Sequence, residues 1–360
     1  MGWLLLAEPG AAPDLSWMNP SRKWAFALGA LGAAALVRRA FPPFRFQGKV
    51  VLVTGGSRGL GLILARRLAR QGARLAICAR DATELAGAQQ ELLQLGGEVL
   101  AVACDVGDEA QAQVFVDQAL RRYGHIDVLI NNAGIIQVAP LSSMGLADFQ
   151  QVLAANFWGT VHTCLAVLPH LRKRRQGRIL NITSIGGAVA VPHLLPYSCS
   201  KFAATGFSEG LAAEVAGDGV QVTTALPSLM RTGSFVNALF KGRQDDEMSW
   251  FALGSTLPGL SMAAERAAAR MLRACQRGSP YVTIGVTGKL LRLLHAALPG
   301  TTVRLLSVAN RLLPAAGGAG PGDAAEPGWQ HRPSHLPGFL ERLGNRAARR
   351  NREVPWARPS

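Results

Sequence analysis

A short apolar run, Lys49-Val50-Val51-Leu52-Val53-Thr54, leads straight into a glycine turn, Thr54-Gly55-Gly56-Ser57-Arg58-Gly59-Leu60-Gly61. The chain continues as Leu62-Ile63-Leu64-Ala65-Arg66-Arg67-Leu68-Ala69-Arg70, with apolar residues at helical spacing and Gly72 as a natural stop. Buried strand, glycine turn and helix in this order confine the fold to a small set of α/β architectures. The turn also carries chemistry. Glycines let a backbone approach a phosphate, and a helix N-terminus offers it unpaired N–H groups and the positive end of a dipole. The spacing Gly-x-x-x-Gly-x-Gly departs from the common Gly-x-Gly-x-x-Gly, so the turn alone leaves its ligand open.

A second constellation narrows the chemistry. The chain has three tyrosines, and Tyr197 stands four residues before Lys201, with Ser184 upstream. Positions i and i+4 share a helix face, which brings the ammonium beside the phenol. A phenol of pKa about 10 is a poor acid or base at neutral pH, and a fixed cation lowers that value. Taken alone, the pair also fits a surface helix whose side chains merely snorkel. Further apolar runs at 74–79, 99–103, 128–131, 178–183, 220–225 and 281–285 alternate with helical stretches, as a parallel sheet of βαβ units requires.

Four motifs, Thr54-Gly55-x-x-x-Gly59-x-Gly61, Asn131-Asn132-Ala133-Gly134, Ser184 and Tyr197-x-x-x-Lys201, occur in an order and spacing that resembles the short-chain dehydrogenase/reductase family from residue 46 to 285. The resemblance implies an α/β fold, a Rossmann-like doubly wound parallel sheet in a single catalytic domain with helical flanks. It also implies NAD(P) lying across the carboxyl ends of the strands. By resemblance Ser184 holds a substrate oxygen, Tyr197 exchanges a proton with it, and Lys201 lowers the tyrosine pKa and binds the nicotinamide ribose. Asn156 matches a fourth catalytic position that bends a helix and holds a relay water. The cofactor set implied is Thr54, Gly55, Ser57, Arg58, Gly59, Leu60 and Gly61 at the turn, Asp105 and Val106 beside the adenine, and Asn132, Ala133 and Gly134. Tyr197, Lys201, Pro227 and Thr232 complete it. Ser228 stands where the family's Pro-Gly-x-x-x-Thr segment has glycine.

Arg80 follows Ala79 at the end of the second strand, where relatives that prefer NAD carry an acid. Arg58 supplies another cation, so NADP(H) is preferred over NAD(H). Asp81 reads as a helix N-cap. Trp158, Val189, Val191, His193, Leu194 and Leu195 are candidates to line an apolar pocket for a lipid-like or steroid-like alcohol or ketone, with His193 a loop residue. Residues 233–250, with Phe235, Phe240, Trp250 and Phe251 in or beside them, read as a lid or as an ordinary loop. The resulting reading is an NADP(H)-dependent carbonyl/alcohol oxidoreductase. The alternative is a catalytically weak nucleotide-sensing or interaction protein on the same fold.

The flanks carry much of the net charge of +15. Residues 1–45 form an extension whose uncharged stretch 24–37 can span only with snorkelling flanks or local thinning of the bilayer and is expected to anchor at, or lie in, a membrane interface. The greater number of cations after this stretch than before it places the catalytic domain on the cytoplasmic side, and translation from Met1 or from Met18 is left open. Leucines at 288–298 and 301–313 alternate with Lys289, Arg292, Arg304 and Arg311. They predict a C-terminal amphipathic pair, 286–313, suited to an anionic membrane surface or to packing on protein. Residues 314–360 read as a disordered basic tail. No recognisable nucleic-acid module accompanies the charge. Five scattered cysteines fit a reducing compartment and suggest no metal site. Self-association into a homo-oligomer is left open.

Overall fold

The computed structural model describes residues 44–354 apart from 318, 319, 321, 322 and 334, so the expected anchor at 24–37 and both candidate start methionines lie outside the described residues. Seven parallel strands form the central sheet: β1 Val50–Thr54, β2 Arg74–Ala79, β3 Glu98–Ala103, β4 Val128–Asn131, β5 Gly177–Ile182, β6 Val220–Pro227 and β7 Tyr281–Ile284. Their order is β7-β6-β5-β4-β1-β2-β3. The chain winds outward in one direction from β1 and returns to start again at β4, so β1 and β4 are neighbours. A crevice opens at such a reversal, beyond the carboxyl ends of the two strands. The strand positions inferred from apolar runs hold to within a residue or two, because strands covered on both faces are apolar throughout.

Helices cover the sheet: α1 Gly59–Ala69, α2 Ala82–Gln94, α3 Glu109–Tyr123, α4 Leu146–Leu153, α5 Gly159–Arg174, α6 Leu195–Glu214, α7 Gln244–Thr256 and α8 Ala264–Gln276. Asp81 caps α2 as expected, accepting the Glu84 N–H at 2.9 Å. A π turn, Ala154–Trp158, joins α4 to α5 and carries Asn156. Leu146–Arg174 is the helical stretch among the described residues that is long and apolar enough to cross a membrane, and half of its most apolar window is buried inside the domain.

Three expectations are corrected by packing. Residues 233–250, read as a lid or an ordinary loop, are packed into the domain: Phe235, Phe240 and Phe251 are buried in one cluster with Met248 and Ala348. The tail beyond 314 is not wholly without structure. Glu326–Pro327 pairs antiparallel with Leu239–Phe240. Beyond the pair α9 Val286–Ala297 and α10 Pro299–Asn310, the chain forms α11, Gly338–Arg350. This helix buries Leu340 and the small residues Gly344, Ala347 and Ala348, a stripe that a scan for hydrophobic runs passes over. Trp158, expected in a pocket, is half exposed and stacks on His162.

A buried polar chain ties the middle of the sheet to α5 and α6. Thr163 Oγ1 donates to Asn131 Oδ1 at 2.7 Å, Asn131 Nδ2 to Asn181 Oδ1 at 2.9 Å, and Asn181 Nδ2 to Ser208 Oγ at 3.0 Å. Ser208 shares a further bond of 2.6 Å with Thr224. Each member is tolerated in a dry interior because each is paired. Asn181→Leu keeps the branched shape but removes the bonds to Asn131 and Ser208, leaving Asn131 Nδ2 only Cys164 and the Ser208 hydroxyl only Thr224 beside them, so the loss in unfolding free energy should be about 1–3 kcal/mol by urea denaturation. A change below a few tenths would show that the chain is not structural.

Candidate functional site

The glycine turn lies where β1 enters α1, at the mouth of the crevice. Gly55 is in the left-handed region (φ +65°), and a Cβ there would come within 2.9 Å of the Ala133 Cα. A side chain on Gly61 would collide with the Gly55 carbonyl. These are positions only glycine can hold, for conformation at the first and close approach at the second. The turn is fastened to the loop after β4. Thr54 Oγ1 accepts the N–H groups of Asn132 and Ala133, both at 3.0 Å, and Asn132 Nδ2 donates to the carbonyls of Thr54 and Gly55.

That loop reaches the expected proton-transfer residues. A Cβ on Gly134 would lie 2.6 Å from Asn156 Oδ1 and 3.5 Å from Lys201 Nζ, so the backbone of Gly134 packs directly against both. Asn156, in the π turn, accepts the Ile135 N–H at 2.8 Å, donates to the Ile135 carbonyl at 3.0 Å, and donates to Ser200 Oγ at 2.9 Å. Asn156 thus stands in the π turn between α4 and α5. Lys201 is buried and donates to the Ile182 carbonyl at the end of β5, 3.3 Å away. Ser184 follows that strand and accepts the Gly186 N–H at 3.0 Å. Gly186 lies against both Ser184 and the Tyr197 ring, so the hydroxyl and the phenol ring share one side of the site.

The electrostatics differ from expectation at Tyr197. Its phenol is raised above the ordinary value by burial, with only the Ser184 hydrogen bond pulling the other way. Lys201, 5.8 Å from the ring centroid, is itself brought down to about 8 by the same burial. In this geometry desolvation sets the direction at both groups.

Of the other expected residues, Asp105 turns back on its own loop and accepts the Gly107 N–H at 2.9 Å, with Val106 buried beside it. Pro227 ends β6, and Thr232 is buried with its hydroxyl accepting the Ser234 N–H. Ser228, in place of glycine, shares a bond of 2.9 Å with Thr287 at the start of α9. Arg80 is exposed at the end of β2. Ser57 and Arg58 are both engaged by Glu84, at 3.3 Å and 2.7 Å. Glu84 was not singled out from sequence, although its place three residues after the N-cap Asp81 is a recognisable signal. Ser200 was also missed, and no local pattern marks it. His193 is in a loop, as expected, but buried and left-handed (φ +61°), with Nδ1 2.8 Å from the buried Glu247 carboxylate. No cluster of His, Cys, Asp or Glu suited to a metal occurs among the described residues.

The turn fits a dinucleotide phosphate. It presents left-handed glycines at 55 and 59 and a helix N-terminus directly after them. With serine, tyrosine and lysine at the opposite wall, fold and site define a nicotinamide-dependent oxidoreductase. The short chain dehydrogenase family model matches residues 49–240, and the chain belongs to this family. It is 39% identical over 192 residues to D-threitol dehydrogenase of Mycolicibacterium smegmatis, covering 52% of this chain and 73% of that one. It is 32% identical over 263 residues to a dehydrogenase/reductase SDR family protein 7-like of Drosophila melanogaster, covering 71% and 79%. A crystal structure of a short-chain dehydrogenase from Streptomyces avermitilis superposes with a TM-score of 0.62 at 26% identity, over 73% of this chain and 97% of that one.

The buried lysine has a measurable signature. Its folded pKa of about 8 lies below the ordinary 10.5, so above pH 8 the unfolded chain holds the extra proton and folding stability rises with pH toward 10.5. Thermal or urea unfolding between pH 8 and 10 should show this rise in the wild type and lose it in Lys201→Met. Parallel profiles for the two proteins would mean that Lys201 is not held in a dry site.

Proposed function

We propose that the chain is an NADP(H)-dependent oxidoreductase that moves hydride between the nicotinamide and an alcohol or carbonyl group on an apolar molecule. The observation that carries this reading is the placement of Asn156 and Lys201 beside Gly134, on the same loop that braces the glycine turn, with Ser184 and the Tyr197 ring side by side at Gly186. When bound, the nicotinamide supplies or accepts the hydride. Ser184 orients the substrate oxygen, and Tyr197 gives it a proton in reduction. The phenol that burial keeps protonated is the form that can donate. Lys201, anchored on the Ile182 carbonyl, would hold the ribose, and Asn156 ties the π turn to Ser200 beside it.

Arg80 carries the NADP(H) preference. It is exposed where a ribose 2′-phosphate would meet the end of β2, while Arg58 is shared with Glu84. For the substrate, a cavity of about 750 Å³ lies between Leu141, Val191, His193 and Leu195 on one side and Val303 and Leu306 of α10 on the other. Its walls are largely apolar and end two residues before Tyr197, which favours a lipid-like ligand.

Paired substitutions test the chemistry. Tyr197→Phe should lower kcat at least a hundredfold with NADPH affinity within twofold of wild type, since packing survives and the transferable proton does not. Retention of more than a tenth of kcat would sink the assignment. Arg80→Ala should weaken NADPH at least tenfold and leave NADH nearly unchanged. An equal loss for both cofactors would make Arg80 structural.

The pair α9 and α10 supports membrane contact for the same enzyme. Val286, Leu290, Leu293, Leu298, Val303 and Leu305 are exposed among Lys289, Arg292 and Arg304, and the sequence has no acid between Glu265 and Asp323. Sedimentation with phosphatidylserine vesicles should retain the protein, and Leu290→Ser with Leu305→Ser should release it. Equal sedimentation of the double variant would remove the pair as the contact.

A further inference from the structure

The last described residues of the chain return to the glycine turn. Helix α11 packs its Ala348 beside Gly233, where a Cβ would collide with the helix, and its Gly344 against Phe235 and Thr256. From its end the backbone runs into the crevice. The Gly59 N–H, at the first residue of α1, donates to the Asn351 carbonyl at 2.8 Å. Asn351 is fully buried, and its Nδ2 donates to the Thr232 carbonyl at 2.9 Å. Two residues on, Asn237 Nδ2 donates to both the Glu353 carbonyl, at 2.6 Å, and its Oε2, at 2.7 Å. The carboxylate lies against Gly59, so that a side chain there would strike Oε1, and it is 3.8 Å from Arg58 Nε. Between them Arg352 adopts a left-handed backbone (φ +55°) and reaches over α2 to Glu91 Oε2 at 3.1 Å. A residue with a Cβ holds that conformation only where its surroundings over-determine it.

Gly59, Arg58 and Thr232 are three of the positions read above as holding the cofactor, and all three are engaged by this one segment. What it presents to them is also telling: a carbonyl oxygen on the N–H that opens α1, and a carboxylate beside the arginine of the turn. Those are the kinds of acceptor a pyrophosphate would present there.

We propose that residues 351–353 form a built-in competitor for the cofactor, with the Asn351 carbonyl and the Glu353 carboxylate seated on the phosphate-binding turn, so that cofactor enters only when this segment leaves. The proposal rests on the cofactor reading of the turn. A protein whose binding-competent form is a minority shows an affinity lowered by that fraction, so a segment seated nine-tenths of the time weakens cofactor about tenfold. The anchors are few and polar, and α11 holds the segment near the turn after it leaves, which suits a reversible strap rather than a permanent plug.

Two measurements on the full-length chain test this. The first needs no substitution: limited trypsin digestion followed by mass spectrometry reads cleavage after Arg350 and Arg352. Saturating NADPH should speed this cleavage at least fivefold by displacing the segment. Protection, or no change, while NADPH demonstrably binds would overturn the proposal, because the segment and the cofactor would then sit side by side. The second is the dissociation constant of NADPH from nicotinamide fluorescence. Asn351→Ala with Glu353→Ala should tighten it about tenfold, whereas an equal or weaker affinity in a folded double variant would overturn the proposal. If neither protein binds NADPH or NADH, the cofactor reading itself falls and the competitor with it.

Discussion

One hydroxyl joins the two halves of this molecule. Thr54, buried at the end of β1, accepts two successive N–H groups from the loop that follows β4. The strands on either side wind away from each other, so nothing in the sheet ladder beyond this point holds the glycine turn against the facing loop. The tie sets Ala133 against Gly55 and thereby places Gly134 against Asn156 and Lys201. Cofactor cradle and proton-transfer residues come from segments far apart in sequence, and their spacing depends on the hydrogen bonds of Thr54 and Asn132 at the crossover.

Burial then tunes what this geometry assembles. Lys201 and Tyr197 are both shifted toward their neutral forms by desolvation, which makes the lysine an easier group to titrate and the phenol a firmer proton holder. The polar chain from Thr163 through Asn131 and Asn181 to Ser208 lies behind them in the same interior. It fixes α5 and α6 to the central strands without apolar contact alone, and a fully paired network of this kind specifies a single arrangement.

The readings that held were local ones. The strand, glycine turn and helix at 49–70 are legible because glycine conformation, helix capping and strand apolarity act over a few residues. The same is true of Asp81 at the start of α2. Tyr197 and Lys201 were legible because helical spacing alone puts them on one face. The readings that failed concerned faces and partners. Trp158 looked like a pocket residue because it is aromatic and close to Asn156, but the π turn directs it outward onto His162. Phe235, Phe240 and Phe251 read as parts of a lid or an ordinary loop because the stretch is polar and punctuated by glycine, whereas α11 packs against them in one core.

Sequence by itself determined the strands, the glycine turn and the shared helix face of Tyr197 and Lys201, because each encodes its own backbone geometry within a few positions, and the family was legible through the resemblance of its motifs. Tertiary structure alone decided which groups neutralise which. It put Glu84 on Ser57 and Arg58, Glu247 on His193, and the C-terminal Asn351 and Glu353 on the turn that opens α1. Such pairings join residues tens to hundreds of positions apart. They depend on where the folded backbone delivers each side chain and on how little water remains there, and neither quantity is written in local spacing.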